Sequence, residues 1–327
     1  MFLLLLVKLV LVMTCSISTI DLQQQHPHDY YSSFQRDINM TMTSINISFN
    51  HPDSQNHSLT PQMRGPDFFI IGTQKGGTTS ARLNIRQHPD VFMSAFEMHF
   101  FDMKSKVVLN RSTYYGQFVE AKPHQLIGDC TPSYMYLPSA IEAIYAFNAR
   151  AKLIIFLRNP ITRAFSAYKM HNYDNHNIID DGTDSSIRPF DVLQSGYIKR
   201  GIYITQLHFI ERLFKRSQLH IECSEAILHS LDYTPIFHFL GLSKHPINTT
   251  FDRVSHVNRS MTIREVTKLV KFYQPFNNQL LGWLNNGTLK EPGRKEYYQR
   301  LMNCVDDWDT ETAAYIRHLK NYSSLTT

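Results

Sequence analysis

Short apolar runs alternate with stretches of helical periodicity between residues 66 and 285. The apolar runs predict strands at 67–72, 91–93, 125–128, 152–157 and 219–222, because runs of this length are typical of strands buried on both faces. The spacing of apolar positions predicts helices at 78–87, 113–120, 139–149, 160–173, 203–215 and 262–284. This alternation predicts an α/β domain with a central parallel sheet flanked by helices on both faces.

The first twenty residues are almost continuously apolar, and Lys8 is their one charged residue. Such a segment indicates a secretory signal, and both a cleaved signal peptide and an uncleaved signal anchor remain open. Residues 21–64 are polar and lack periodicity, which predicts a disordered lumenal stem. The folded domain is therefore expected at 65–327.

Sites for N-glycosylation agree with delivery to a lumen of the secretory pathway. The sequence holds eight N-x-Ser/Thr sequons, at Asn39, Asn46, Asn56, Asn110, Asn248, Asn258, Asn286 and Asn321. In an oxidising lumen Cys130, Cys223 and Cys304 are able to pair, but the sequence leaves open which two do so and whether one stays a free thiol.

Composition excludes several classes of protein. With 43% hydrophobic residues, 19% charged residues and four cysteines in 327, the chain is neither a disordered tail nor a disulfide-stapled miniprotein. It contains no CxxC pair that would indicate a zinc or redox site. The net charge is +5, and residues 65–327 hold 30 basic against 24 acidic residues. This excess suits an anionic ligand, although ordinary solubility charge explains it equally well.

A glycine-rich turn follows the first predicted strand, where residues 72–80 are GTQKGGTTS. A strand that turns through two glycines into a helix presents backbone N–H groups and the positive end of the helix dipole to an anion. Lys75 comes before the glycine pair, which is not the order of a Walker A motif and argues against a P-loop kinase or NTPase.

Residues 68–80, together with HPDV at 88–91, resemble the 5′-phosphosulfate loop of sulfotransferases that use 3′-phosphoadenylyl sulfate (PAPS), in particular the Golgi heparan sulfate type. The resemblance implies a nucleotide-kinase-like α/β fold and PAPS as the sulfuryl donor. The loop residues that it implies for donor binding are Lys75, Gly76, Gly77, Thr78, Thr79 and Ser80.

A second motif of the same family lies at 152–168, KLIIFLRNPITRAFSAY. By resemblance, Arg158 and Ser166 hold the 3′-phosphate of PAPS. A guanidinium at a strand end and a hydroxyl two turns into the next helix are able to converge on one dianion. Arg259, in the short segment 256–260, stands where the family has a loop that closes over the nucleotide.

Between these motifs, residues 97–102 (EMHFFD) resemble the catalytic segment of the family. The resemblance implies that Glu97 is the catalytic base and that its neighbours line the acceptor cleft. We expect His99 to be a second catalytic residue that polarises or orients either reactant, and Asp102 to hold His99 or the wall of the cleft. Sulfuryl transfer needs a base near the acceptor proton and a cation near the departing phosphate oxygen, a role that fits Lys75.

Residues 128–134 (GDCTPSY) match a further motif, with two departures. Cys130 and Thr131 are expected to line the acceptor site, but Cys130 stands where the family has a lysine, and Thr79 stands where related enzymes have an arginine. The loss of two cations argues against an acceptor as densely sulfated as mature heparan.

The sequence therefore predicts a PAPS-dependent sulfotransferase of the Golgi lumen, membrane-bound if the N-terminal segment is retained, or secreted. The expected acceptor is a hydroxyl or amine of an anionic glycan, with a glycosaminoglycan such as heparan sulfate as the favoured class, and we expect no required metal and no nucleic acid partner. Alternatives are a catalytically weakened glycan-binding protein and a sulfotransferase acting on a glycolipid or a protein tyrosine.

Overall fold

Five parallel strands form the centre of the structure, a computed structural model that describes residues 64–102, 111–172, 196–249 and 260–325. The strands are β1 (Phe68–Gly72), β2 (Val91–Met93), β3 (Leu126–Cys130), β4 (Lys152–Leu157) and β5 (Leu219–Cys223). They pair in the order β2-β3-β1-β4-β5, and every pair is parallel. All five predicted strands are therefore confirmed, with ends shifted by no more than two residues.

Ten α-helices lie in the described part of the chain. They are α1 (Thr78–Ile85), α2 (Arg111–Gly116), α3 (Pro138–Phe147), α4 (Pro160–Asn172), α5 (Gly196–Lys199), α6 (Tyr203–Glu211), α7 (Ser224–Ser230), α8 (Thr234–Leu240), α9 (Ile263–Lys290) and α10 (Lys295–Leu325). Short 3-10 turns occur at Tyr134–Tyr136, Arg216–Gln218 and Pro292–Arg294.

Helices pack on both faces of the sheet. Successive residues of a strand point to opposite faces, so Phe68 and Ile70 share one buried cluster with residues of α1, α7 and α8. On the other face, the ring of Phe69 contacts those of Phe101 and Phe147, the last residue of α3, with centroids 5.9 and 6.5 Å apart. The predicted α/β class is confirmed.

Four helices, α5, α7, α8 and α10, were not predicted from the sequence. The buried residues of α10 include Tyr298, Leu301, Val305, Trp308 and Thr312, which recur every three or four positions. That spacing is typical of an amphipathic helix, but the many polar residues between these positions make the pattern hard to recognise in the sequence.

Helix α9 begins where predicted, because the Thr262 hydroxyl accepts a hydrogen bond from the Glu265 N–H at 3.2 Å.

A disulfide bond joins the end of β5 to α10. It links Cys223 to Cys304, while Cys130 is buried and is the one free cysteine among the described residues. The pairing that the sequence left open is thereby resolved for these three residues. The bond ties the C-terminal helix to an outer strand of the sheet.

Several predicted features lie outside the described residues. They are the signal segment at 1–20, the stem except for its last residue, the sequon residues Asn110 and Asn258, and Arg259. In the part of the chain that the structure describes, no helix combines the length and the apolar character needed to cross a membrane.

The disulfide generates a prediction about stability. Cys223 and Cys304 are 81 residues apart, so the bond removes much conformational entropy from the unfolded chain. Replacing both by alanine should lower the free energy of unfolding by about 2–4 kcal/mol, measured by urea denaturation without reductant. Cys130→Ala is the control, since it removes a buried thiol without a crosslink and should cost only about 1 kcal/mol. A double variant as stable as this control would contradict the prediction.

Candidate active site

The glycine-rich turn connects β1 to α1 at the carboxyl edge of the sheet. Lys75 and Gly77 both have left-handed backbone conformations, with φ of 67° and 82°, and Gly77 directly precedes the first residue of α1, Thr78. The turn therefore ends at a helix N-terminus, where backbone N–H groups lack partners within the helix. These groups and the helix dipole form an anion-binding cradle. The predicted hydroxyls Thr78, Thr79 and Ser80 all lie in the first turn of α1.

Gly76 packs its backbone against two carbonyl oxygens. A Cβ atom at this position would lie 2.8 Å from both the Phe156 and the Thr73 carbonyl oxygens, which is closer than any side chain tolerates. The Ser224 hydroxyl also donates a hydrogen bond to the Gly76 carbonyl at 2.6 Å, and the Thr73 N–H donates to Phe156 O at 3.0 Å. The turn is therefore fixed to β4 and to the start of α7.

Arg158 connects the end of β4 to this turn. Its Nη1 donates a hydrogen bond to the Lys75 carbonyl at 3.0 Å, and its own carbonyl accepts one from the Tyr203 hydroxyl at 2.7 Å. Ser166 lies about two turns into α4, the helix that also carries Met170, whose sulfur is 3.8 Å from Lys75 Nζ. The structure thus brings the predicted donor residues Lys75 and Arg158 together and directs Lys75 toward the helix of Ser166.

The segment from Glu97 to Asp102 follows β2 and forms a chain of three polar side chains. His99 Nε2 is 3.3 Å from Glu97 Oε2, and His99 Nδ1 is 2.8 Å from Asp102 Oδ2. The Ser133 hydroxyl donates to the same Asp102 oxygen. The Glu97 side chain remains 37% exposed, so its carboxylate is accessible. An accessible carboxylate oriented by an imidazole is suited to proton transfer.

A buried carboxylate at the end of β3 lies beneath this segment. Asp129 is fully buried and accepts hydrogen bonds from the hydroxyls of Tyr114 at 2.8 Å, Thr131 at 2.9 Å and Tyr134 at 3.2 Å. Burial raises the pKa of Asp129 to about 6, although the three hydroxyl hydrogen bonds act in the opposite direction. Asp129 and Tyr134 were not among the predicted site residues. The available signal was an acidic residue in an otherwise buried strand.

Cys130 and Thr131 differ from the other predicted acceptor contacts because both side chains are buried. Their exposure is 1% and 0%. The Cys130 thiol lies 3.7 Å from the Thr78 carbonyl, and burial raises its pKa. The Thr131 hydroxyl accepts a hydrogen bond from the Met98 N–H at 3.2 Å. Thr131 thus supports the backbone of the Glu97 segment, and neither side chain presents an open surface to a ligand.

The order of the strands arranges these groups side by side. The Glu97 segment rests on the end of β3, the glycine-rich turn follows β1, and Arg158 follows β4. In parallel α/β sheets ligands bind outside the carboxyl ends of the strands. This edge therefore combines an accessible carboxylate, an anion cradle and a guanidinium in that order.

Comparisons with known proteins show which proteins this chain resembles. The family model "Sulfotransferase domain" matches residues 65–243. Heparan sulfate glucosamine 3-O-sulfotransferase 5 of Mus musculus is 34% identical over 112 residues, which are 34% of this chain and 32% of the relative. Heparan sulfate glucosamine 3-O-sulfotransferase 6 of Mus musculus is 37% identical over 105 residues, 32% of this chain and 30% of the relative. The matched region thus spans about a third of each curated relative.

A solved structure supports the fold. The crystal structure of a sulfotransferase from Alicyclobacillus acidocaldarius superimposes with a TM-score of 0.54 at 23% identity. The superposition covers 67% of this chain and 96% of that chain.

The glycine pair of the turn generates a prediction. Gly76→Ala should lower the free energy of unfolding by about 2–3 kcal/mol, because its Cβ would collide with two backbone oxygens that cannot rotate away. Gly77→Ala meets no atom within 4 Å but has to adopt a φ of 82°, so it should cost only about 1 kcal/mol. Urea denaturation of the two variants measures the difference. Equal losses would mean that the turn does not pack against β4 as described.

Proposed function

The chain belongs to the sulfotransferase domain family, and we propose that it transfers the sulfuryl group of PAPS to a hydroxyl or amine of a carbohydrate, specifically a glycosaminoglycan of the heparan sulfate class. The observation that carries this proposal is the order of functional groups along the carboxyl edge of the sheet. An acceptor base that rests on the end of β3, an anion cradle that follows β1 and a second cationic position that follows β4 lie beside one another, because these three strands are neighbours. A donor with phosphate at both ends of its nucleoside needs both the anion cradle and the second cationic position.

The glycine-rich turn fits a phosphosulfate group. Gly76 has no Cβ and its backbone is packed tightly on β4, so the turn is rigid before a ligand arrives. Backbone N–H groups at the start of α1 would bind the phosphosulfate oxygens, with Lys75 and the hydroxyls of Thr78, Thr79 and Ser80 close by. Arg158 and Ser166 would bind the 3′-phosphate, since a guanidinium favours paired contacts with phosphate oxygens.

The reaction assigned to these residues is an in-line transfer. PAPS supplies the sulfuryl group, whose bond to the phosphate oxygen breaks as the bond to the acceptor forms. Glu97 accepts the proton of the acceptor hydroxyl or amine, and the contact between His99 and Glu97 at 3.3 Å orients this carboxylate. Lys75 and the N–H groups of the turn stabilise the negative charge that develops on the departing phosphate oxygen. Asp102 fixes the other nitrogen of the His99 ring.

The acceptor class rests on the relatives, both of which are named as heparan sulfate glucosamine 3-O-sulfotransferases. The position sulfated in this chain is not part of the proposal, because the match covers only about a third of each relative. Thr79 and Cys130 stand where related enzymes have cations, and Cys130 is buried. We therefore expect a sparsely sulfated chain to be preferred over a densely sulfated one.

We also propose a location and a domain division. Residues 1–20 direct the chain into the secretory pathway, residues 21–64 form a stem, and residues 65–327 form the catalytic domain in the Golgi lumen. The sequons in the described part of the chain, Asn248, Asn286 and Asn321, are all exposed, which supports glycosylation. The disulfide between Cys223 and Cys304 is compatible with an oxidising compartment.

The acceptor class is tested with labelled PAPS and purified protein. Heparosan, chondroitin, dermatan, a glycolipid and a tyrosine-containing peptide are each incubated with the donor, and the label on each acceptor is counted. We expect the highest transfer to heparosan. Label confined to the glycolipid or peptide would overturn the acceptor assignment, and glycan binding without transfer to any acceptor would favour a catalytically weakened glycan-binding protein.

Two substitutions should separate chemistry from nucleotide binding. Glu97→Gln removes the base but keeps its size, so kcat should fall by about 10²–10⁴-fold while the affinity for 3′-phosphoadenosine 5′-phosphate, the product nucleotide, stays within about twofold. Arg158→Ala removes a phosphate contact, so the Kd for that nucleotide should rise at least about tenfold. Steady-state kinetics and calorimetry measure the two effects.

Exposed residues of α10 provide matched controls for this pair. Glu296→Gln and Arg300→Ala make the same chemical changes on the surface and should alter neither quantity. Near-normal turnover in Glu97→Gln would exclude Glu97 as the base. Unchanged nucleotide affinity in Arg158→Ala would exclude Arg158 from the nucleotide site.

A further inference from the structure

The buried Asp129 carboxylate has hydroxyl groups as its hydrogen-bond partners. Thr131 donates to Oδ1, while Tyr114 and Tyr134 donate to Oδ2. No described lysine, arginine or histidine forms an ion pair with it. A buried carboxylate in this setting is stabilised by donated hydrogen bonds alone, so each hydroxyl must direct its single hydrogen toward Asp129.

Two of these hydroxyls also accept hydrogen bonds from the Glu97 segment. The Thr131 hydroxyl accepts from the N–H groups of Met98 at 3.2 Å and His99 at 3.4 Å. The Tyr134 hydroxyl accepts from Phe100 at 2.9 Å and Phe101 at 3.4 Å. Because their hydrogens point to Asp129, both oxygens present lone pairs to the backbone. Four consecutive N–H groups are therefore held by one buried carboxylate acting through two hydroxyls.

The segment needs such support because its backbone is strained. His99 has a φ of 51°, a left-handed conformation that costs a non-glycine residue about 1–2 kcal/mol. This conformation belongs to the turn in which His99 contacts both Glu97 and Asp102. A strained backbone persists only where surrounding contacts fix it, and the hydrogen bonds from residues 98–101 are such contacts.

We propose that Asp129 is a positioning residue for the transfer reaction, which orients the Thr131 and Tyr134 hydroxyls so that they hold the turn carrying Glu97 and His99. Asp129 touches neither donor nor acceptor in this role. The kinetic part of the proposal rests on the proposed function, whereas the structural part does not.

The Asp129→Asn substitution should reverse the direction of the hydrogen bond between residue 129 and one of the two hydroxyls, Thr131 or Tyr134. An asparagine replaces one carboxylate oxygen by an NH₂ group, which donates hydrogen bonds. The hydroxyl facing that group then has to accept from it, and its own hydrogen turns toward the backbone N–H groups that it previously accepted. Either the Thr131 or the Tyr134 contacts to the segment are lost, although the shape of the side chain is unchanged.

Single hydroxyl deletions test the two halves separately. Thr131→Val removes the acceptor of the Met98 and His99 N–H groups, and Thr131→Ser restores a hydroxyl. Tyr134→Phe removes the acceptor of the Phe100 and Phe101 N–H groups. Tyr297→Phe is the matched control, because it also deletes a hydroxyl that accepts a backbone N–H, that of Ile221 at 2.6 Å, but on β5.

Amide hydrogen exchange is the first measurement, and it requires no acceptor. Thr131→Val should speed exchange at Met98 and His99 roughly tenfold, and Tyr134→Phe should do so at Phe100 and Phe101. Asp129→Asn should speed exchange at one of these pairs, and Thr131→Ser should restore protection lost in Thr131→Val. Unchanged exchange across residues 98–101 in Asp129→Asn and both deletion variants would overturn the proposal.

Kinetics provide the second measurement. Asp129→Asn should lower kcat by about 10²-fold, the effect of displacing a catalytic group by roughly 1 Å, with the Kd for 3′-phosphoadenosine 5′-phosphate within twofold of wild type. If Asp129 only stabilised the fold, the substitution would lower kcat and the fraction of molecules that bind nucleotide together. Wild-type kcat in Asp129→Asn would also overturn the proposal.

The two measurements separate the possible failures. If the wild-type protein transfers sulfuryl groups to none of the acceptors, the proposed function fails, and hydrogen exchange still decides whether Asp129 holds the turn. If Asp129→Asn does not fold, Thr131→Val and Tyr134→Phe decide the question by the same two readouts, with Tyr297→Phe expected to keep wild-type kcat.

Discussion

Parallel strands end at the same edge of a sheet, and each group of the candidate active site depends on that geometry. The turn after β1 binds to β4 through the Gly76 backbone and through the hydrogen bond from Arg158 to Lys75. The end of β3 supports the segment of Glu97 through the Thr131 hydroxyl. Since β1 lies between β3 and β4, the proposed donor and acceptor positions meet where the three strands end. A different strand order would separate the proposed donor and acceptor positions even if every side chain stayed the same.

Much of this fold is predictable from the sequence because its strands are fully buried. Apolar runs such as Phe68–Gly72 and Lys152–Leu157 have few alternative structures in a domain of this size. The helices α5, α7, α8 and α10 were not predicted, for different reasons. The first three have only four, seven and seven residues, too few for periodicity to be distinct, and α10 mixes its buried positions with many charged ones. The pairing of Cys223 with Cys304 depends on the packing of α10 against β5, which no local pattern encodes.

The site was predictable where its residues belong to one strand end and its following turn. Lys75 and Arg158 each follow a recognisable strand, and the parallel sheet brings them together. Burial at the end of β3 was not predictable in the same way. Asp129, Cys130 and Thr131 are consecutive, and the sequence does not specify which of them face the core once the strand ends. The structure shows all three buried, and this is why the supporting role of Asp129 and Thr131 emerges only from the hydrogen bonds.

The charges of the site differ between its two sides. Lys75 and Arg158 lie on the side of the glycine-rich turn and β4, whereas the segment above β3 brings together the carboxyl groups of Glu97, Asp102 and Asp129. The cations on the first side suit the proposed donor, a nucleotide with two phosphate positions. In the proposed reaction an acceptor would approach the partly exposed carboxyl group of Glu97, with that of Asp102 close by, and like charges repel most strongly where water is excluded. For the proposed glycan acceptor, these carboxyl groups favour a hydroxyl or amine on a weakly charged stretch over a densely sulfated one, and binding the rest of an anionic chain would need cations outside this cluster.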